Sequence, residues 1–395
     1  MIKLSEFAKV TAGQAAPKEF SNEGLPFIRA GHLEELLAGS KLESLPKVSN
    51  EVAKKKRLKV IPKGTILFAK SGMSATKNRV YVTEGESYFV SHLAGVLPSD
   101  EFSTFYLARF FSWYNPSKLI LDSAYPSIRL EDIKNLSIPL PSIEEQKKIA
   151  AILDAADDYR QKTKALIDKY DQLTQSLFID MFGNPVINPM GWEISKLKDL
   201  STKIGSGNTP KGGQKVYVDE GILFFRSMNV WKNNIIYDNI AFIDLETHKM
   251  MPKSSLKHKD ILMTKTGRVN TENSSLGRAA IYLGEDDKAN VNGHVYLIRL
   301  KENILHEFVL HILTSNAYRD LIRRVCVGGI DKRQLNKNHI EEFPIISPPP
   351  GMQEIFVKKL TNIKNQKEIL HKNLKKAEEL FNSLLQKAFK GELIN

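Results

Sequence analysis

Ser347-Pro348-Pro349-Pro350 is the nearest approach in this chain to the Asp/Asn/Ser-Pro-Pro-aromatic loop that grips the amino group of a flipped adenine in methyl transfer. Its last position lacks the aromatic ring and no Phe-x-Gly-x-Gly cofactor strand accompanies it, so it reads as a stiff linker. Gly205-Ser206-Gly207 runs on into Asn208-Thr209-Pro210, unlike a dinucleotide fingerprint. Asp132-Ile133-Lys134 and Glu145-Gln146-Lys147 fit the loosest pattern of a Mg²⁺-dependent nuclease, but such triplets recur by chance where 26% of residues are charged. Both read as helix starts. No Gly-x-x-x-x-Gly-Lys-Ser/Thr phosphate loop occurs, and the nine histidines contain no His-Glu-x-x-His pair, so neither ATP-driven work nor a metal centre is expected.

Binding chemistry is better represented. Lysine and arginine number 57 against 45 acids, giving a net charge of +12 and favouring a polyanionic partner through counterion release at phosphates. Two loops are rich in hydrogen-bond donors, contain glycine and follow an apolar run: Lys70-Ser71-Gly72-Met73-Ser74-Ala75-Thr76-Lys77-Asn78-Arg79 and Lys265-Thr266-Gly267-Arg268-Val269-Asn270. Lys and Arg position phosphates, while Arg, Asn and Gln reach base edges, so these loops are the first candidates for double-stranded DNA contact. Arg29 and Arg226, each after an aromatic run, come next, with Arg129 in Ser127-Ile128-Arg129 and Lys332 and Arg333 in Asp331-Lys332-Arg333-Gln334. Lys54-Lys55-Lys56-Arg57 reads as helix surface or as a phosphate contact without base reading. For each residue the alternative is a solvated surface charge, and for the whole a scaffold whose heads bind protein.

The elements that carry these residues come in two copies. Lys3-Leu4 and Pro17-Lys18 answer Lys196-Leu197 and Pro210-Lys211 at an offset of 193. Gly24-Leu25-Pro26-Phe27-Ile28-Arg29 answers Gly221-Ile222-Leu223-Phe224-Phe225-Arg226, and Lys70-Ser71-Gly72 answers Lys265-Thr266-Gly267. Arg79 and Arg278 follow, then His92 and His294, which read as scaffold residues or as DNA-facing ones. Each copy ends in Ile133, Leu136, Ile138 and Pro141 or in Ile340, Phe343, Ile345 and Pro348, where the offset has drifted to 207. Short apolar runs broken by Gly, Pro and Asn predict strands and turns, and Phe102 to Ser112 and Glu307 to Arg324 predict helices. The fold class is therefore α+β, with one mixed domain over 1–142 and a second over 183–349 that begins with a short linker, 183–191.

Between and after them the pattern becomes heptad-like. Over 143–182 the seam reads Ile152, Ala156, Tyr159, Thr163, Leu166, Tyr170, Leu173 and Leu177; over 350–395 it reads Leu360, Ile363, Lys367, Leu370, Leu374, Ala377, Phe381, Leu384 and Ala388. Helices of about 40 residues would each extend about 60 Å. The first carries six basic and eight acidic residues, net −2, and Met352 to Lys390 carries nine basic and four acidic, net +5. Opposite balances favour pairing of the two with each other over either self-pair, and an antiparallel coiled coil would place the domains of this pseudo-twofold duplicated chain at opposite ends. Separate homodimeric coiled coils are the alternative.

Pro139-Leu140-Pro141-Ser142-Ile143-Glu144-Glu145-Gln146-Lys147-Lys148-Ile149, the helix after it, and Asn188-Pro189-Met190-Gly191-Trp192-Glu193-Ile194-Ser195-Lys196-Leu197 resemble the specificity subunit of Type I restriction-modification systems over the whole chain. The resemblance implies a non-catalytic subunit without a cofactor, whose two target-recognition domains each read half of a split DNA site. The long helices would set the spacing and dock two modification subunits that bind S-adenosylmethionine, with restriction subunits translocating on Mg-ATP in the full complex. The second helix opens Gly351-Met352-Gln353-Glu354 without an intact Glu-Glu-Gln, so equal docking at both helices does not follow from the resemblance. The first copy starts at Met1 without a counterpart of Gly191-Trp192, which implies a slightly trimmed first domain. An enzyme that fuses recognition to methylation or cutting remains the opposing reading. One cysteine, Cys326, and no apolar stretch of membrane-spanning length point to the cytoplasm and away from the membrane.

Overall fold

The run Ile66-Leu67-Phe68-Ala69 is buried at every residue because its strand is covered on both faces. Ile66 and Phe68 point into a core with Phe102, Tyr106, Phe110 and Phe111, while Leu67 and Ala69 point into a second core with Phe27, Ile28 and Leu93. A strand covered on both faces reads as continuous hydrophobicity instead of alternation. In this computed structural model residues 1–269, 271, 273–329 and 331–394 are described. The chain divides into two units, Met1–Leu166 with Leu370–Asn395, and Ile167–Ile369.

In the first unit the central antiparallel sheet has the order Val10–Ala12, Leu93–Val96, Ile66–Ala69, Val80–Val82. A smaller sheet sets Leu25–Ile28 between Lys47–Val48 and, in parallel register, Tyr88–Phe89. Ile2–Lys3 pairs with Ser137–Ile138, so the start of the domain is fastened to its exit. The second unit repeats the plan: Ser201–Ser206, Val295–Leu300, Ile261–Thr264, Ala279–Ile281 in the same order, Ile222–Phe225 parallel to Ala289–Val291, and Ile194–Lys196 fastened to Pro344–Ile346. Gly13 and Gly207 mark equivalent close approaches, since a Cβ would lie 2.2 Å from the carbonyl oxygen of Phe89 in one copy and of Val291 in the other.

The helix Thr104–Tyr114 runs to the length expected, but the predicted helix Glu307 to Arg324 is two helices, His306–Thr314 and Asn316–Val325. Ser315 separates them: it is extended, and its hydroxyl accepts from the Tyr318 N–H (3.3 Å), capping the second helix where the first ends. The basic run Lys54-Lys55-Lys56 lies on the exposed face of the helix Asn50–Lys56, closed by Arg57 at φ 53°.

Ile143–Phe182 and Pro350–Lys390 are single long helices, and each unit holds half of both. In the first unit Ile149, Ala150 and Leu153 share a core with Phe381, Leu385, Ala388 and Phe389; in the second Phe178 and Phe182 share one with Phe356. Early residues of one helix thus meet late residues of the other, which is antiparallel pairing. The motif at the helix head has a physical basis. Ser142 and Glu145 form a capping box, with the Ser142 N–H donating to Oε2 (2.9 Å) and the Glu145 N–H donating to Oγ (3.4 Å). Buried Gln146 donates to the Pro141 carbonyl (2.9 Å) and accepts from the Ser103 N–H (2.8 Å), and Gln353 donates in the same way to Pro348 (2.8 Å). At the far end of the first helix the Trp192 indole N–H donates to the Phe182 carbonyl (3.0 Å), a clasp held by Asn188.

The seam expected for the second helix matches its packed face, but that of the first needs correction. Ile152, Tyr159, Leu166 and Leu173 are exposed, and the packed face runs through Leu153, Arg160, Thr163 and Ile167. Arg160 faces inward because its guanidinium lies 4.8 Å from the Phe381 ring and pairs with Asp157 (2.6 Å), which turns Tyr159 outward.

The two copies grip the helices differently. The buried set Tyr106, Leu107, Ala108, Phe110 and Phe111 matches Phe308, Val309, Leu310, Ile312 and Leu313 one for one, leaving Arg109 and His311 in equivalent places. Arg109 donates to Asp154 (2.9 Å) and Asp157 (2.8 Å). Burial opposes ionisation of Asp157, but the hydrogen bonds and charges of Arg109 and Arg160 hold its carboxyl below the usual range. His311 instead lies against Phe178 (4.7 Å) and Phe356 (5.0 Å), and burial pushes its imidazole down to about 4.

Two outcomes follow. Spin labels at Lys147 and Lys387, both in the first unit, are expected roughly 10–20 Å apart by double electron resonance, given the interaxial spacing of packed helices; parallel pairing would separate them by roughly 60 Å. For His311, the unfolded chain takes up its proton near 6.5 and the folded one only near 4. Between those values the unfolded state binds more protons, so stability falls on acidification from about pH 6.5 and levels off below 4, by up to roughly 3 kcal/mol. His311→Phe should remove that part of the slope in thermal melts taken across the range.

Candidate nucleic-acid interface

In both units the strand at the centre of the large sheet ends in a lysine whose backbone is fastened on two sides. Lys70 donates its N–H to the His92 carbonyl (2.8 Å) and its carbonyl accepts from the Ile128 N–H (2.7 Å). Lys265 donates to the His294 carbonyl (2.9 Å) and accepts from the Leu335 N–H (2.9 Å). The candidate segments therefore come together within each copy. Ser71 pairs with Ser127 beside Arg129, and the Gly72 N–H donates to the Pro126 carbonyl (2.9 Å). Thr266 and Gly267 pair with Gln334 and Arg333, in a sheet with the exposed strand Val327–Gly329.

The first loop is rigidly held. Asn78 is exposed but donates its amide to the Ser112 carbonyl (2.5 Å), Ala75 is buried, and the half-buried Arg79 forms an ion pair with Glu34. Lys77 and Arg129 are exposed, Lys70 and Ser71 half-buried. The Ser71 hydroxyl lies 2.6 Å from Nδ1 of His92, which is itself exposed. Exposed Arg29 stacks 4.8 Å over the Phe20 ring, next to the strand pairing that leads to His92.

In the second unit Arg268 and Lys332 are exposed. Lys265 sits 5.3 Å over the Tyr296 ring, and Thr266 accepts at its carbonyl from Ser275 Oγ (2.7 Å). Arg226 donates to the Asn239 carbonyl and lies 5.9 Å from the Tyr217 ring, while Arg333 donates to the Cys326 carbonyl (3.3 Å). The Nε atoms of both arginines are buried without a partner. Asn270 lies outside the described residues.

Side-chain type alone did not separate the arginines that hold loops from those that face out. Arg79 and its counterpart Arg278 are both engaged, Arg278 through the Ser274 carbonyl (2.9 Å) and the Trp231 ring at 3.8 Å. His92 and His294, left open between scaffold and contact, are exposed and back directly onto the two donor loops. Their matched places in the repeat were the signal.

A duplicated α+β chain with a donor-rich loop cluster in each copy is a two-headed recognition protein. The family model for the Type I restriction modification DNA specificity domain matches residues 1–169 and 189–379, one match per copy, and the chain belongs to that family. A Type I restriction enzyme specificity subunit, MjaIX of Methanocaldococcus jannaschii, is 24% identical over 99% of this chain and 92% of its own length. The fold is shared with a chain solved for the complex assembly and conformational transition of the type I R-M system (TM-score 0.59, 17% identity, 99% of this chain and 97% of that one). It is shared also with the S subunit of the system from M. genitalium (TM-score 0.55, 16% identity, 98% and 95%).

Proposed function

We propose that each unit's loop cluster reads one half of a split DNA site, and that the chain supplies sequence choice to catalytic partners without acting on DNA itself. The observation that carries this reading is the repeated fastening of Lys70 and Lys265: one scaffold presents two clusters whose side chains differ, as two different half-sites require. Two modification subunits that bind S-adenosylmethionine, and restriction subunits that translocate on Mg-ATP, are the partners. The long helices dock them and set the distance between half-sites. Ile152, Tyr159 and Leu166, exposed at seven-residue intervals on one helix face, support docking there. No helix among the described residues is long and apolar enough to cross a membrane. The cytoplasm, where DNA and both cofactors meet, is the compartment we propose.

The test assembles the chain with its modification subunits and maps methylation across a sequenced genome. Arg268→Ala should relax preference in one half of the site by about 1–3 kcal/mol and leave the other half intact. Removal of whole heptads from one long helix should change only the spacer, and the chain alone with S-adenosylmethionine should transfer no methyl group. An uninterrupted target, or equal damage to both halves by Arg268→Ala, would overturn the reading.

A further inference from the structure

The first unit's loop cluster exposes apolar side chains that a water-facing surface does not call for. Tyr125 is 82% exposed, Met73 70% and Leu121 84%. They belong to the two segments already fastened together, since the Gly72 N–H donates to the Pro126 carbonyl and Ser71 pairs with Ser127. The turn Met73–Thr76 also lies against the turn Pro116–Leu119.

Met73 and Tyr125 are exposed, but not because their backbone is loose. Met73 is followed by buried Ala75, and its carbonyl accepts from the Thr76 hydroxyl (2.8 Å). Tyr125 is followed by buried Pro126 and Ile128, and the turn before it is held by Asp122 accepting from the Ala124 N–H (2.8 Å). The fold thus anchors their neighbours inward and leaves a thioether and a phenol outward.

The segments that carry them are rich in cations. Residues 70–79 and 116–129 carry Lys70, Lys77, Lys118 and Arg129, besides Arg79 tied to Glu34, against one acid of their own, Asp122. An apolar tip on cation-rich segments suits the DNA groove, where the thymine 5-methyl is the one apolar group on a base edge. The equivalent position in the second unit is the strand pair Val327–Gly329 and Lys332–Gln334, with Lys332 and Arg333 in place of an aromatic.

We propose that Tyr125 and Met73 are specificity-determining residues of the first domain, making apolar contact with a thymine methyl in its half-site. The inference rests on the DNA-reading function and assigns the two domains different means of discrimination: methyl contact in the first, charged donors in the second.

Tyr125→Ala, Met73→Ala and the double variant, each assembled with modification subunits, are compared by methylation mapping and by equilibrium binding to duplexes carrying the mapped site. Preference should relax at one thymine position in one half-site, with the other half and the salt slope unchanged because no charge is removed. Uracil in place of that thymine should weaken the unsubstituted complex about fourfold, as for one buried methyl group, and leave the double variant unaffected. The uracil effect on the unsubstituted complex requires no variant to fold. Lys70→Ala with Lys77→Ala is run alongside. If the lysine variants weaken binding while the apolar variants and uracil do not, this proposal falls and DNA reading stands. If the lysine variants also leave binding unchanged, DNA reading by this unit falls as well. A half-site without an A·T pair, or loss of a protein subunit from the Tyr125→Ala complex, overturns the proposal too.

Discussion

Neither domain can close its core with residues from its own copy. In the first unit the aromatic face of the helix Thr104–Tyr114 is covered by Phe389, which lies 5.4 Å from Tyr106, 5.4 Å from Phe110 and 5.2 Å from Trp113. In the second, Phe182 lies 5.1 Å from Phe308 and Phe178 lies 5.9 Å from it. Each domain is finished by the far end of the helix that the other copy contributes. Leaving such rings in water would cost roughly 1.5–3 kcal/mol each, so the pairing of the helices contributes to the stability of each domain.

That dependence explains the motifs at the helix ends. A helix that must close a core cannot leave its domain at an arbitrary angle, and Gln146 and Gln353 fix the exit by bonding the proline-rich segment that precedes each helix. Gln146 goes further and ties the Ser103 N–H at the head of the neighbouring helix, a buried bond that an apolar replacement would leave unsatisfied. Trp192 fixes the other end of the first helix. With both ends set, the central strand arrives at Lys70 or Lys265 with its faces already committed, and the loops beyond are free to differ.

The grip need not be the same in both copies. Arg109 uses charge, with Asp154 and Asp157 below it and the Phe381 ring 5.7 Å away, whereas His311 uses ring packing between Phe178 and Phe356. Equivalent geometry is reached by an interaction sensitive to salt in one unit and to acid in the other. The duplicated scaffold has therefore diverged in chemistry at its joints as well as in its loops.

Repeat, fold class, long helices and donor loops were all legible from the chain, because each is carried by local pattern: the paired runs ending at Arg29 and Arg226, the apolar strand before Lys70, the alternating threes and fours from Leu360 to Ala388. Helix limits at Ile143 and Phe182 coincide with the sequence pattern for the same reason. Tertiary structure decided which of two stripes on that helix is packed, since Ile152, Tyr159 and Leu166 and the neighbouring Leu153, Arg160 and Ile167 are equally compatible with a heptad and only Phe381 under Arg160 selects between them. It decided that Arg79 is tied to Glu34 while Lys77 is not, and that Met73 and Tyr125 lie on segments fastened together although 52 residues apart. Periodicity reports how much of a residue's surface can be apolar; only the approach of distant segments determines what lies against it.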